Sequence, residues 1–254
     1  YMFTNAIVKK PSKAIIEGIT SVDLGKLLYD KAVLQHNAYV AALQQGGLQV
    51  LVLPADNNFP DSTFVEDVAL CTPKGLIVTR PGAITRQGET AGILPTLQNN
   101  FTIIGYVKAP GTVEAGDVMV VNNTYYIGLS ARTNTAGFHQ LVGVLTAHGF
   151  EAVAVPLQKV LHLKTGVSYL DNNNLLVSGE FVAHEVFSSF NKIIVDSDEA
   201  YAANALFVNG KVLLPKGYPK VQAKIAALGY EIISLDMSEF QKVDGGLSCL
   251  SLRY

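Results

Sequence analysis

The chain has 254 residues, 49% hydrophobic and 16% charged, with a formal net charge of −2. That balance leaves no electrostatic footprint for nucleic acid or an anionic membrane surface. No apolar run approaches the roughly 20 residues a membrane helix needs, so the sparse charge reads as a large core. Tyr1 precedes Met2 and is set aside. Met2 to Lys10 alternates around Phe3, Ala6, Ile7 and Val8 and predicts a strand. From Asp23 to Gln45 the spacing of Leu27, Leu34, Ala38 and Ala41 predicts a helix with those residues on one face, closed by Gly46-Gly47. Leu48 to Leu53 follows as a strand ending at Pro54.

This helix–glycine–strand unit recurs. Phe138, Leu141, Val142 and Leu145 form a stripe, Gly149 closes it, and Phe150 to Val155 follows. Val221, Ile225 and Leu228, then Gly229, lead to Tyr230 to Leu235. Weaker copies lead to Phe101–Ile104 and Lys192–Val195. Four of these strands have a hairpin as a module partner: Val68–Cys71 with Leu76–Val78, Val118–Val121 with Tyr125–Gly128, Val167–Leu170 with Leu175–Val177, and Ala205–Val208 with Lys211–Leu214. The last is joined by Asn209-Gly210, a strong hairpin signal. A fifth first strand is the tail, Leu247 to Leu252, read from its alternation. Its mate is the N-terminal strand, which closes a ring. Five modules of roughly 40–50 residues predict an α/β propeller in one domain over residues 1–254.

The segment before each hairpin is the same slot five times. It holds Phe64-Val-Glu-Asp67, Glu114-Ala-Gly-Asp117, His162-Leu-Lys-Thr-Gly166, Tyr201-Ala-Ala-Asn204 and Asp244-Gly-Gly246 leading to Cys249. In a ring these slots converge. Cys249 then reads either as a nucleophile beside glycines that let a ligand approach, or as a small buried hydrophobe. His162 moves protons near neutral pH, and Glu114 orients it. Glu114 and Asp117 also fit plain turn capping. Glu66 and Asp67 suit a guanidinium, whose planar fork matches carboxylates. Cys71 reads as core. One histidine and one cysteine in these slots do not give the spacing of a zinc site, so no metal is expected. Two cysteines make no disulfide framework, and no long apolar stretch opens the chain; a cytoplasmic setting is expected.

At these residues the chain resembles a known family. Phe59-Pro-Asp-Ser-Thr-Phe-Val-Glu-Asp67, Arg80-Pro-Gly82 with Arg86, Gly111-Thr-Val-Glu-Ala-Gly-Asp117, Gly128-Leu-Ser-Ala-Arg-Thr-Asn134, Leu161-His-Leu-Lys-Thr-Gly166 and Asp244-Gly-Gly-Leu-Ser-Cys249 are similar to motifs of the dimethylarginine dimethylaminohydrolases. These belong to the pentein, or guanidine-modifying, superfamily, with arginine deiminases and amidinotransferases. The likeness runs from Gly18-Ile-Thr-Ser21 to Arg253.

The resemblance implies a five-bladed α/β propeller and hydrolysis of Nω-methylated arginine to citrulline and a methylamine, without a cofactor. It implies Cys249 as nucleophile, His162 as general acid/base and Glu114 as its partner. Asp67 and Glu66 would hold the guanidinium, and Arg86 and Arg132 the α-carboxylate. Asp61 and the Ile19 carbonyl would take the α-amine, Val243 would give a backbone contact, and Phe64 would line the pocket. Ala115 stands where many relatives have glycine. The expected partner is a small-molecule substrate, with no nucleic acid and no membrane, in a monomer or homodimer. Arginine deiminase, amidinotransferase and a silent arginine-binding propeller are the alternatives.

Overall fold

The computed structural model describes residues 2–254. Strand β1 (Asn5–Lys9) runs parallel to β2 (Gln49–Leu53), with α1 (Tyr29–Gln45) between them. β3 (Ala69–Thr72) turns back into β4 (Gly75–Val78), and α2 (Glu89–Asn100) carries the chain to β5 (Ile103–Tyr106), parallel to β4. The same plan gives β6 (Val118–Val121), β7 (Thr124–Leu129), α3 (Thr135–Ala147) and β8 (Glu151–Pro156). A one-turn helix, α4 (Leu163–Gly166), precedes β9 (Val167–Tyr169) and β10 (Asn174–Val177). Two short 3-10 turns, not an α-helix, then lead to β11 (Asn191–Ile194). β12 (Leu206–Val208), β13 (Lys211–Pro215), α5 (Pro219–Ala226) and β14 (Glu231–Leu235) repeat the plan. After α6 (Ser238–Gln241) comes β15 (Leu252–Arg253), antiparallel to β1.

The result is five separate three-stranded sheets with one strand order. Each middle strand is antiparallel to one neighbour and parallel to the other. Middle strands flanked on both sides read as continuous apolar runs, as in Asn174-Leu-Leu-Val177, which is buried throughout. The hairpin turns need a left-handed backbone, and Asn172, Asn173, Asn209 and Gly210 all have positive φ. The Asn209 side chain also accepts from Phe3 N–H and donates to the Phe3 and Gly46 carbonyls, tying the last complete module to the first. The core divides into five apolar clusters. Among the described residues no helix is long and apolar enough to cross a membrane.

Two expectations are corrected. The tail is not a strand from Leu247: Ser248–Leu250 is a 3-10 turn and only Leu252–Arg253 pairs with β1. Leu247 and Leu250 are both buried, which is the spacing of a three-residue turn. The buried face of α1 is Ala32, Gln35, His36, Tyr39, Ala42 and Leu43, while Leu34 is 68% exposed. Gln35 and Tyr39 win places on that face because they find hydrogen-bond partners there, and His36 packs its ring against Phe240. Gln35 Oε1 accepts from Glu239 N–H, its Nε2 donates to Ser238 Oγ, and Tyr39 and Ser251 share a hydroxyl bond of 2.8 Å.

Every first strand is preceded by a short helical turn: Val65–Val68, Ala115–Asp117, Leu163–Gly166, Ser197–Ala203 and Ser248–Leu250. Hydrogen bonds join each to the next. Gly116 N–H donates to Asp67 Oδ1 (2.9 Å), Leu163 N–H to Asp117 Oδ1 (2.9 Å), Asn204 Nδ2 to the Lys164 carbonyl (3.0 Å) and Ser248 N–H to Asn204 Oδ1 (3.1 Å). Arg253, just past the fifth turn, donates to Glu66 Oε2 of the first at 2.9 Å.

Candidate active site

Cys249 sits inside the fifth turn, and its N–H donates to the Gly246 carbonyl at 3.2 Å. The thiol is half-buried. The two glycines before it approach protein side chains, not an open ligand face. A Cβ on Gly245 would stand 2.4 Å from the Phe64 ring, and one on Gly246 2.7 Å from the Asn204 amide. Asn204 therefore braces the turn from behind, its Nδ2 also donating to Ser248 Oγ at 2.9 Å.

His162 is held on a buried carboxylate. Its Nε2 lies 2.6 Å from Glu114 Oε2, and Glu114 also accepts from Ala83 N–H and from Arg132 NH1, each at 3.1 Å. Burial alone would lower the His162 pKa, but Asp67 and the Glu114 hydrogen bond outweigh it and hold it up at about 9. Asp67 has the opposite balance. Burial would raise it, yet Arg86 and then His162 pull it down to about 2. Gly116 permits this packing, since a Cβ there would stand 2.8 Å from Asp67 Oδ1 and 3.0 Å from His162 Nδ1. Asp67, Glu114 and His162 lie within 4.8 Å of one another, a spacing a metal ion also uses. Here arginines supply the positive charge on both carboxylates.

Arg86 is buried, and every nitrogen of its guanidinium donates to the protein. NH1 donates to Asp67 Oδ2 (2.6 Å), Nε and NH2 to Glu89 (3.0 Å each), and NH2 to the Phe64 carbonyl (3.0 Å). Burial pushes Glu89 up and Arg86 pulls it back, to about 7, whereas Asp67 is held low, so both carboxylates face Arg86 and Asp67 is the more strongly acidic.

A narrow cavity of about 30 Å³ brings these groups together, lined by Ile19, Asp61, Phe64, Asp67, Arg86, Arg132, Leu161, His162, Val243, Asp244 and Cys249. Glu114 lies behind His162. Asp61 accepts from Ile19 N–H at 3.1 Å, and Phe64 stands edge-on to Phe240. Glu66 does not join them. Its carboxylate is bonded to Lys164 at 2.7 Å and to Arg253 at 2.9 Å and lines a different cavity. Neighbours in a tight turn point to different sides, so a joint Glu66–Asp67 clamp on one group is not built. Leu161 and Asp244 were not foreseen. Asp244 has φ +56° and accepts from Ser21 N–H (2.7 Å) and Ser21 Oγ (3.0 Å). An aspartate before two glycines, a residue type that tolerates the left-handed region, was the available signal.

The model of the eukaryotic N,N-dimethylarginine dimethylhydrolase family matches residues 22–215. The chain is 50% identical, over its whole length and all of the relative's, to N(G),N(G)-dimethylarginine dimethylaminohydrolase of Pseudomonas aeruginosa. The chain belongs to the dimethylarginine dimethylaminohydrolase family. The enzyme of the same name from Streptomyces coelicolor is 35% identical over 98% of this chain and 96% of its own. A solved Pseudomonas aeruginosa dimethylarginine dimethylaminohydrolase, a cysteine-to-serine mutant complexed with citrulline, superposes with a TM-score of 0.98 at 49% identity, covering all of both chains. The fold is thus the α/β, pentein-type architecture of the dimethylarginine dimethylaminohydrolases.

In this dimethylarginine dimethylaminohydrolase-family site the histidine carries a stability signature. An unfolded histidine titrates near 6.5. His162 is raised to about 9, so its contribution is complete below about 6.5 and is lost as pH rises through about 9. Between those values the wild-type chain should lose on the order of 2–3 kcal/mol of unfolding free energy relative to a His162→Gln variant. Urea titrations at both pH values read it. Parallel pH curves for the two proteins would show His162 uncharged in the fold.

Proposed function

We propose that the chain hydrolyses Nω-methylated arginine to citrulline and a methylamine, with Cys249 as the nucleophile. One observation carries the reading: a half-buried thiol, a histidine fixed on a buried carboxylate and an arginine-balanced aspartate share one pocket. We also read the five sheets as the blades of a single-domain propeller. The hydrogen bonds that run from turn to turn support that arrangement, since they bring all five slots to one centre.

The chemistry follows from the charges. Burial, then Asp67 and Glu66, push the Cys249 thiol up to about 12, so it is neutral in the empty pocket at pH 7. A guanidinium cation beside it reverses that balance, and the thiol proton leaves to solvent as the substrate seats. The thiolate attacks the guanidinium carbon. His162, protonated at neutral pH, gives its proton to the departing methylamine as the C–N bond breaks. A water that returns a proton to His162 then attacks the S-alkylthiouronium carbon, and as the C–S bond breaks the remaining hydroxyl proton passes to the Cys249 sulfur, releasing citrulline and restoring the neutral thiol.

Asp67 accepts from the guanidinium N–H groups. Arg132, with Nε and NH2 uncommitted, and Arg86, by its field, favour the α-carboxylate. Asp61 and the Ile19 carbonyl take the α-amine, Val243 gives a backbone contact, and Phe64 forms a wall. The cavity holds little more than one water. Substrate entry therefore moves the half-buried Ile19 and Arg132 outward.

A citrulline colour assay with dimethylarginine, monomethylarginine and arginine in parallel tests the reading. Citrulline from the methylated substrates is the expected result. Citrulline from arginine alone would make the chain a deiminase, and silence on all three with tight binding would make it a binder.

A further inference from the structure

A second cavity lies on the other side of the slot turns, about 400 Å³ in volume, and nothing in the mechanism uses it. Ala69, Val118, Ser168, Leu206 and Leu252 line it, one from the first strand of each of the five sheets. Its walls are largely apolar, and its volume is in the range of small-molecule sites. Its mouth carries the exposed turn residues Pro73, Asn122 and Asn172, with Asp171 at the rim engaged by the Tyr230 hydroxyl.

The charges sit on the inner floor. Glu66 faces both Lys164 and Arg253, so two cations answer one carboxylate. Arg253 spends NH1 on the Ser248 and Ser251 carbonyls and on Ser251 Oγ. Lys164 makes one ion pair, which leaves two of its three N–H groups uncommitted. Glu66 Oε1 is buried and has no hydrogen-bond partner. Such a floor carries one excess positive charge at the bottom of an apolar shaft, while the orphaned Glu66 oxygen calls for a donor such as a water beside the anion. Desolvated cations of this kind favour an anion, and the shaft favours a hydrocarbon tail.

We propose that this channel is a second ligand site for a small organic anion, a carboxylate on a short apolar chain, with its head on Lys164. The site is coupled to the catalytic pocket by the shortest possible route. Glu66 adjoins Asp67, Ala115 adjoins Glu114, Ser248 adjoins Cys249, and Lys164 is two residues from His162. One set of turns presents alternate residues to the two cavities.

Calorimetry with acetate, butyrate and hexanoate tests this, on full-length protein saturated with citrulline so that the catalytic pocket is filled. Affinity should rise with chain length, hexylammonium should not bind, and hexanoate should change kcat more than KM for methylated arginine. Lys164→Met should weaken hexanoate at least about tenfold, the scale of one charge-assisted contact. Val120→Trp, at a position that lines the cavity and is 39% exposed, should block entry without touching the floor. Absence of binding by all three acids, equal binding by the wild type and both variants, or hexanoate displaced by citrulline would each overturn the proposal. The binding heats need no turnover, so they stand apart from the fate of the hydrolase reading.

Discussion

Replacing Cys249 by serine should remove citrulline formation, with kcat falling by at least about 10⁴-fold while the unfolding midpoint stays within experimental scatter. The change is nearly isosteric, the side chain is half-buried, and the turn is held by its backbone and by Asn204. A serine hydroxyl is a far weaker acid than a thiol. The pocket makes this worse, because the same burial and carboxylates that hold the thiol up at about 12 also oppose an alkoxide. Substrate binding should survive, since Asp67, Arg132 and Asp61 are untouched. Turnover above about 1% of wild type in a protein free of contaminating enzyme would strip Cys249 of its role.

The largest stability change is expected at Arg86. Substituting methionine keeps the bulk but leaves Asp67 and Glu89 facing each other in a buried site. Breaking a buried pair by deleting one partner costs about 3–5 kcal/mol. Three features place Arg86 at the upper end: its side chain is 5% exposed, it bonds two carboxylates, and it also serves the Phe64 carbonyl. The loss should shrink on acidification. Without Arg86 both carboxylates titrate higher in the fold than in the unfolded chain, and protonation relieves the penalty. Urea unfolding of wild type and variant at pH 5 and pH 8 measures it. A difference under about 1 kcal/mol at pH 8 would mean water reaches the carboxylates in the variant.

Much of this was legible in the sequence because the fold repeats itself. Hairpins recur in four modules, two of them turning on Asn122-Asn123 and Asn209-Gly210, and glycines at 46–47, 149 and 229 follow three of the helices, so a weak signal read several times becomes strong. The slot before each first strand was found the same way, and with it Cys249, His162, Glu114 and Asp67. Where the reading failed, a single local pattern had two periods available. Leu247-Ser-Cys-Leu-Ser-Leu252 alternates like a strand, yet burial of Leu247 and Leu250 serves a three-residue turn equally well. The face of α1 was misread because an apolar count cannot see that Gln35 and His36 are buried among partners contributed by residues 200 positions away. Glu66 shows the same limit. Adjacency to Asp67 suggested a shared task, whereas Lys164 and Arg253, distant in sequence, draw it to the other side of the turn.

The pairing of β15 with β1 has a consequence for how the protein is made. Synthesis delivers β1 first and β15 after everything else in the fold, and the two pair two residues beyond the turn that carries Cys249. Pairing across nearly the full chain is slow to form, because the intervening segment must be gathered first. Four sheets can assemble while the ribosome is still working, whereas the sheet of β1, β2 and β15, which follows directly on the Cys249 turn, closes last.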